Sequence, residues 1–172
     1  MLNQQIVKEL FNYNSETGIL SNAFDRSSRA KKNNRVGSVS PVHGYRTFSI
    51  NKKTYYEHRI IWLYVYGYFP KTIDHINNDK TDNRLINLRE CTQSQNCANR
   101  IISKANTSGF KGVSWNNEKQ KWRVILVANK KRLYLGDFLS KFEAKKVYDL
   151  NAKKYFGDFT KRTEMKVGIW TY

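Results

Sequence analysis

A chain of 172 residues, 40% apolar and 14% aromatic, has room for one ordinary domain or two small ones, and its apolar content excludes disorder throughout. Its 31 Lys and Arg against 14 Asp and Glu give a formal charge of +17, which attracts polyanions and makes nucleic acid the first partner to consider. With Cys91 and Cys97 as its two cysteines, the chain can build neither a disulfide framework nor a four-cysteine zinc site.

The basic excess is shared along the chain, with sixteen bases and eight acids up to residue 105 and fifteen bases and six acids after it. That balance favours two surfaces on one long anionic ligand over a single cationic tail. No apolar run is long enough to cross a bilayer, and MLNQQIVKEL lacks the basic segment and apolar core of a signal peptide. An intracellular, non-secreted protein with no membrane partner is expected.

In chain order, Leu2, Ile6, Val7, Leu10 and Phe11 fall at helical spacing and predict a first helix, followed by a turn from Asn12 to Gly18. From Ile19 to Asn51, short apolar runs alternate with Gly, Asn and Ser around the basic loop RSSRAKKNNR and the strand-like GYRTFSI, a β-rich pattern. In YYEHRIIWLYVYG, His58, Ile61, Trp62 and Val65 share one helical face, and the helix closes at Gly67 ahead of Pro70. His58 then reads as a satisfied core histidine or an active-site neighbour, and His43, beside Gly44, as an exposed loop residue.

The next stretch, IDHINNDKTDNRLINLRECTQSQN, spans residues 73–96 and is too rich in Asn and Asp for an ordinary core element. TIDHI is a short β-branched run, NNDKTDN a turn-rich loop, and LINLRECT a second extended segment. Thr92-Gln93-Ser94-Gln95 matches a capping box, which predicts a helix from Gln93. The order is strand, loop, strand, helix, with Asp74 and His75 on the first strand and Asn96 in the first helical turn. Asn77, Asn78, Asp82 and Asn83 read as turn formers.

Residues 58–100 resemble the HNH, or His-Me finger, endonucleases, particularly the phage and intron-borne homing type. The resemblance rests on the Asp-His pair, on Asn87 twelve residues after His75, and on Asn96 nine further on. It implies that His75 is the general base, Asn87 the residue that orients its imidazole, and Asp74 and Asn96 the metal ligands. The last signature position, often His in that family, is Asn96 here. The chemistry agrees: phosphodiester hydrolysis needs a base for water and a cation to absorb charge on the phosphate. A carboxylate and an amide oxygen form a hard, incomplete ligand set suited to Mg²⁺ or Mn²⁺. An Asn87 carbonyl accepting from one ring nitrogen would leave the other as the base.

After CANRIISKANTSG, a polar connector, the hairpin signals NNEKQ and ANKKR join three runs near 110–115, 121–128 and 132–138. Ser140-Lys141-Phe142-Glu143 is a second capping box, and Ala144, Val147, Tyr148, Ala152 and Tyr155 form a stripe that ends at Gly157. This pattern is similar to the plant ethylene-response-factor (APETALA-type) DNA-binding domain, through GV at 112–113, Leu135-Gly136 followed by Phe138, EA at 143–144 and YD at 148–149. The resemblance implies a sheet that enters the major groove. Ser114 departs from it, standing where the plant domains carry arginine, as do Ile125 and Val127. Alternation puts Trp122, Val124 and Leu126 toward the helix, with Lys121 and Arg123 outward, and Arg132 and Tyr134 alternate likewise with Leu133 and Leu135. Trp115, Lys121, Arg123, Arg132 and Tyr134 are the expected DNA-facing residues.

The expectation is an α+β protein: a ββα-metal (His-Me finger) nuclease domain over 1–105, then a small three-stranded antiparallel sheet packed on one helix over 106–172. Its function would be metal-dependent cleavage of double-stranded DNA by a monomer needing no small-molecule cofactor, with a strand-specific nick as first product. Two rivals share the charge: a DNA-binding regulator with an inactive nuclease domain, and a basic RNA-binding protein.

Overall fold

The structure is a computed structural model that describes residues 2–160. Among these residues the architecture is α+β, with four helices and four small antiparallel sheets. The chain divides by packing into two units, Met1–Thr92 and Gln93–Tyr172. That division falls earlier than the expected one near 105, and the end of the second module, residues 161–172, lies outside the described residues.

In the first unit, α1 (Gln4–Leu10) is opened by Asn3, whose side chain accepts the Ile6 N–H at 2.9 Å. The helix stops before Phe11, which turns extended and starts β1 (Phe11–Asn14). Where sequence predicts a plain turn, β1 pairs with β2 (Ile19–Asn22) as a hairpin. Its loop is closed by Asn14 Oδ1, which accepts the N–H groups of Glu16 and Thr17 at 3.0 Å. Gly18, at φ +70°, ends the loop. A Cβ there would sit 2.5 Å from the Arg84 nitrogen, so this hairpin lies directly against the backbone at residues 83 and 84.

A second sheet runs in the order β3 (Ser38–Val39), β4 (Arg46–Ile50), β5 (Lys53–Tyr56). Asn51 and Lys52, at φ 48° and 64°, make the tight turn between β4 and β5. Helix α2 (Glu57–Tyr66) ends as expected at Gly67, whose N–H returns to the Leu63 carbonyl at 3.0 Å. It buries more than one face: Glu57, His58, Ile60, Ile61, Trp62 and Leu63 are all enclosed. The core joins Val7, Phe11, Leu20, Phe48, Ile60 and Ile61 to Ile73 of β6 (Ile73–His75) and Leu88 of β7 (Leu88–Glu90). These last strands pair antiparallel, with Asp74 opposite Arg89 and His75 opposite Leu88.

In the second unit, α3 (Gln93–Asn99) starts at the residue the capping box predicts. Strands β8 (Val113–Asn116), β9 (Lys121–Ala128) and β10 (Lys131–Phe138) form an antiparallel sheet in the order β10, β9, β8. Helix α4 (Lys141–Phe156) is capped by Ser140, whose hydroxyl accepts the Phe142 N–H, and it packs Ala144, Tyr148, Ala152 and Phe156 against Val124, Leu126 and Ala128. Sequence predicts Tyr155 in this stripe. The stripe instead follows the i, i+4 row, which brings Phe156 inward and leaves Tyr155 exposed. Gly112 allows the closest contact, since a Cβ on it would lie 2.1 Å from the Tyr148 ring.

Candidate active site

Hairpin β6–β7 carries the site, and the loop between its strands is folded by its own side chains. Asn87 Oδ1 accepts the Asn77 N–H at 2.9 Å, while Asn87 Nδ2 donates to the Asp82 carbonyl at 2.8 Å. Asn77 Nδ2 in turn donates to Asp82 Oδ2 at 2.8 Å. Arg84 holds the Asp82 carboxyl down at about 2, and Asp79 Oδ1 accepts both the N–H and the hydroxyl of Thr81. Asn77 and Asp82 therefore shape the turn, and Asn78 takes a left-handed position in it at φ 63°, as their residue types predict.

His75 is 4% exposed, and its Nε2 lies 3.0 Å from Asn83 Oδ1. This corrects the expectation for the two asparagines. Asn83, read from sequence as a turn former, meets the imidazole, whereas Asn87 uses both ends of its amide to clip the loop. The reason is geometric: Asn87 ends a 3₁₀ turn at Leu85–Asn87, where its amide reaches Asn77 and Asp82. The backbone of Asn83 is fixed by Tyr13, whose hydroxyl donates to its carbonyl at 2.9 Å.

Two aromatic rings also pack against His75. The His58 ring stands edge-on at a centroid distance of 5.0 Å and the Tyr45 ring at 5.7 Å, so His58 is a neighbour of the site within the core. Burial lowers the basicity of both imidazoles, His58 to about 3. For His75 burial thus favours the uncharged ring, the form able to take a proton. Lys80 brings a cation to this cluster, with Nζ 4.8 Å from the Tyr45 ring and 2.8 Å from the His43 carbonyl oxygen that accepts from it. His43 itself is exposed, as expected.

Asp74 is buried at 4%, and its Oδ2 receives the Arg89 fork, Nε at 2.9 Å and Nη2 at 2.8 Å. Cross-strand pairing accounts for this contact, since Arg89 stands opposite Asp74 in the ladder. Asn96 lies on α3 of the second unit and is half-buried. Among the described residues no three His, Cys, Asp or Glu side chains gather into a metal-ligating group. The donors available are hard oxygens, which fits a cation such as Mg²⁺ that retains several waters and takes one or two protein carboxylates.

In the second unit the β9–β10 register sets Val127 opposite Arg132 and Ile125 opposite Tyr134. Directly paired residues share a face, so Lys121, Arg123, Arg132 and Tyr134 lie together on the side of the sheet away from α4. Arg123 Nε is 3.3 Å from Asp137 Oδ1 and Lys119 Nζ is 3.0 Å from Asp137 Oδ2, so one acid tempers the charge of this face. Trp115 does not join it. In register with Trp122, and with its ring 5.0 Å from that residue's, Trp115 belongs to the opposite face, where alternation along β8 puts it.

Residues 55–98 match the family model described as HNH endonuclease, a span that includes α2, β6, β7 and nearly all of α3. Over that stretch the chain is similar to the HNH endonucleases. Protein 3.8 of Escherichia phage T7 is 38% identical over 77 residues, covering 44% of this chain and 64% of that protein. The uncharacterized HNH endonuclease L560 of Acanthamoeba polyphaga mimivirus is 33% identical over 105 residues, covering 59% and 54%. The chain thus spans less than two thirds of the length of either relative. Among solved structures, the HNH homing endonuclease I-HmuI, which binds and cleaves DNA, aligns over 89% of this chain and 85% of its own with a TM-score of 0.42 and 18% identity.

Within the first unit, sequence alone gives Glu57 no role and Asn83 only that of a turn former. The Glu57 carboxylate is fully enclosed and accepts from Asn83 Nδ2 at 3.1 Å. Its place four residues before Ile61 on α2 was a usable signal, because i and i+4 share a helical face. Asn83 offered no such signal, since its partner lies far off in sequence. No helix among the described residues is long and apolar enough to cross a membrane.

Proposed function

We propose that this protein is a divalent-metal-dependent endonuclease that hydrolyses phosphodiester bonds of double-stranded DNA, of the phage and intron-borne homing type. The observation that carries the reading is His75: a buried imidazole beside a buried Asp74 on the first strand of the hairpin that matches the HNH model. His75 takes the proton of the attacking water. Lys80, close by, offsets phosphate charge. Asp74 is the residue of the first unit that would hold Mg²⁺ or Mn²⁺, and the sequence pattern adds Asn96 as a second oxygen donor. When bound, such a cation would supply charge stabilisation for the phosphate and the departing 3′ oxygen.

The second unit supplies affinity in this reading. Three antiparallel strands on one helix present Lys121, Arg123, Arg132 and Tyr134 on one face, an arrangement suited to groove and phosphate contact. Incubation of the protein with a random duplex library and Mg²⁺, followed by sequencing of the ends, tests the proposal. Discrete cuts bearing 5′ phosphate and 3′ hydroxyl, abolished by a chelator, are expected. A protein that binds the library yet leaves every strand intact across Mg²⁺ and Mn²⁺ titrations is a regulator and not a nuclease.

A further inference from the structure

Glu57 and Asn83 form a buried hydrogen-bonded path into the candidate base. Glu57 is fully enclosed, Asn83 is 1% exposed and His75 4%. The Glu57 Oε2 to Asn83 Nδ2 distance is 3.1 Å, and Asn83 Oδ1 to His75 Nε2 is 3.0 Å. Donor and acceptor capacities decide which way the hydrogens point. Every other neighbour of Glu57 is a donor: the Leu20 N–H at 3.4 Å from Oε1, Arg35 Nε at 3.8 Å from Oε1, and Arg46 Nε at 2.8 Å from Oε2. The Arg46 contact is an ion contact with its N–H out of line for a hydrogen bond, and the Arg46 Nη2 donates to the Gly37 carbonyl at 2.7 Å. Burial raises the Glu57 carboxyl above its ordinary value and the two guanidinium groups oppose that rise, but every group it meets is a donor, so in each of these contacts Glu57 accepts.

A carboxylate can face the amide of Asn83 only through Nδ2, which forces Oδ1 toward the imidazole. Oδ1 only accepts, so the nitrogen it meets must carry hydrogen. We propose that Glu57 and Asn83 are positioning residues that fix His75 as the Nε2–H tautomer, with the lone pair on Nδ1. Glu57 acts through Asn83, and Asn83 through the ring orientation and tautomer. The proposal rests on the reading of His75 as the base for its consequence in catalysis, but the tautomer itself is measured independently of activity.

The decisive experiment is a long-range proton–nitrogen correlation spectrum of the full chain labelled with ¹⁵N-histidine, at neutral pH and without metal, with His75 assigned from the spectrum of His75→Ala. A pyrrole-like nitrogen at Nε2 and a pyridine-like nitrogen at Nδ1 are expected. The reverse pattern in the wild-type protein overturns the proposal, whatever the variants do. Asn83→Leu, close in volume, is expected to give a mixed or reversed tautomer and to lower kcat by roughly 10- to 100-fold with DNA affinity kept. Asn83→Asp combined with Glu57→Gln restores the order of donors and acceptors and leaves one negative charge in the cluster. It is expected to recover the Nε2–H signature and to cut within roughly tenfold of wild type. A folded Asn83→Leu protein with wild-type tautomer and kcat also overturns the proposal. Cleavage that survives in His75→Ala would instead defeat the assignment of the base and leave the tautomer result standing.

Discussion

His58 shows at the scale of one residue how burial sets protonation. In the unfolded chain an imidazole titrates near 6.5, whereas burial, with the charges of His75 and Arg59 adding to it, holds His58 at about 3. Between these values the unfolded chain binds a proton that the folded chain refuses. The stability tied to a neutral His58 is therefore complete above about pH 6.5 and is lost progressively as pH falls toward 3. The loss is expected to reach a few kcal/mol, read from urea denaturation across that range. His58→Phe keeps a ring against both Tyr45 and His75 and should flatten the slope, and equal slopes in variant and wild type would count against this source of acid sensitivity. Asp74→Ala, next to the base, should abolish Mg²⁺-dependent cleavage and leave Arg89 without its carboxylate. Undiminished activity at low Mg²⁺ would remove Asp74 from the proposed ligand set.

Among the elements, the second unit is the most legible in sequence. Its three strands and helix fall close to where period-two runs, turn residues and the Ser140 capping box put them, because each signal is local. Gly112 is where the unit is least tolerant. Gly112→Ala would push a methyl group into the Tyr148 ring at a positive φ, and a loss of about 2–4 kcal/mol is expected in urea denaturation. The first unit was read less well where long-range packing overrides local pattern. The polar run Asn12 to Gly18 becomes half of a hairpin because it is pinned against residues 83 and 84, and nothing near it in sequence announces that contact. Local pattern puts Asp74 and His75 on one short strand, where they lie, while the partner of the imidazole is Asn83 and not Asn87 because packing against Glu57 sets that contact.

For the whole molecule, the charge of +17 makes DNA affinity salt-dependent. If Lys121 and Arg132 contact phosphates, replacing both with Ala should reduce the slope of log K against log salt by about two. An unchanged slope would move the DNA-contacting surface elsewhere. One Asp-His…Asn…Asn set in the chain can cut one phosphodiester per engagement, so open circle should precede linear product on a supercoiled plasmid carrying one target site. Direct conversion to linear, at a rate rising with the square of protein concentration, would instead indicate a dimer. The most direct test of the account is single-turnover cleavage of that plasmid in Mg²⁺ by wild type and His75→Ala, with binding followed in parallel by gel shift. His75→Ala is predicted to bind as wild type does and to cut roughly 10²- to 10⁴-fold more slowly. Equal rates at equal binding would contradict the assignment of His75 as the base.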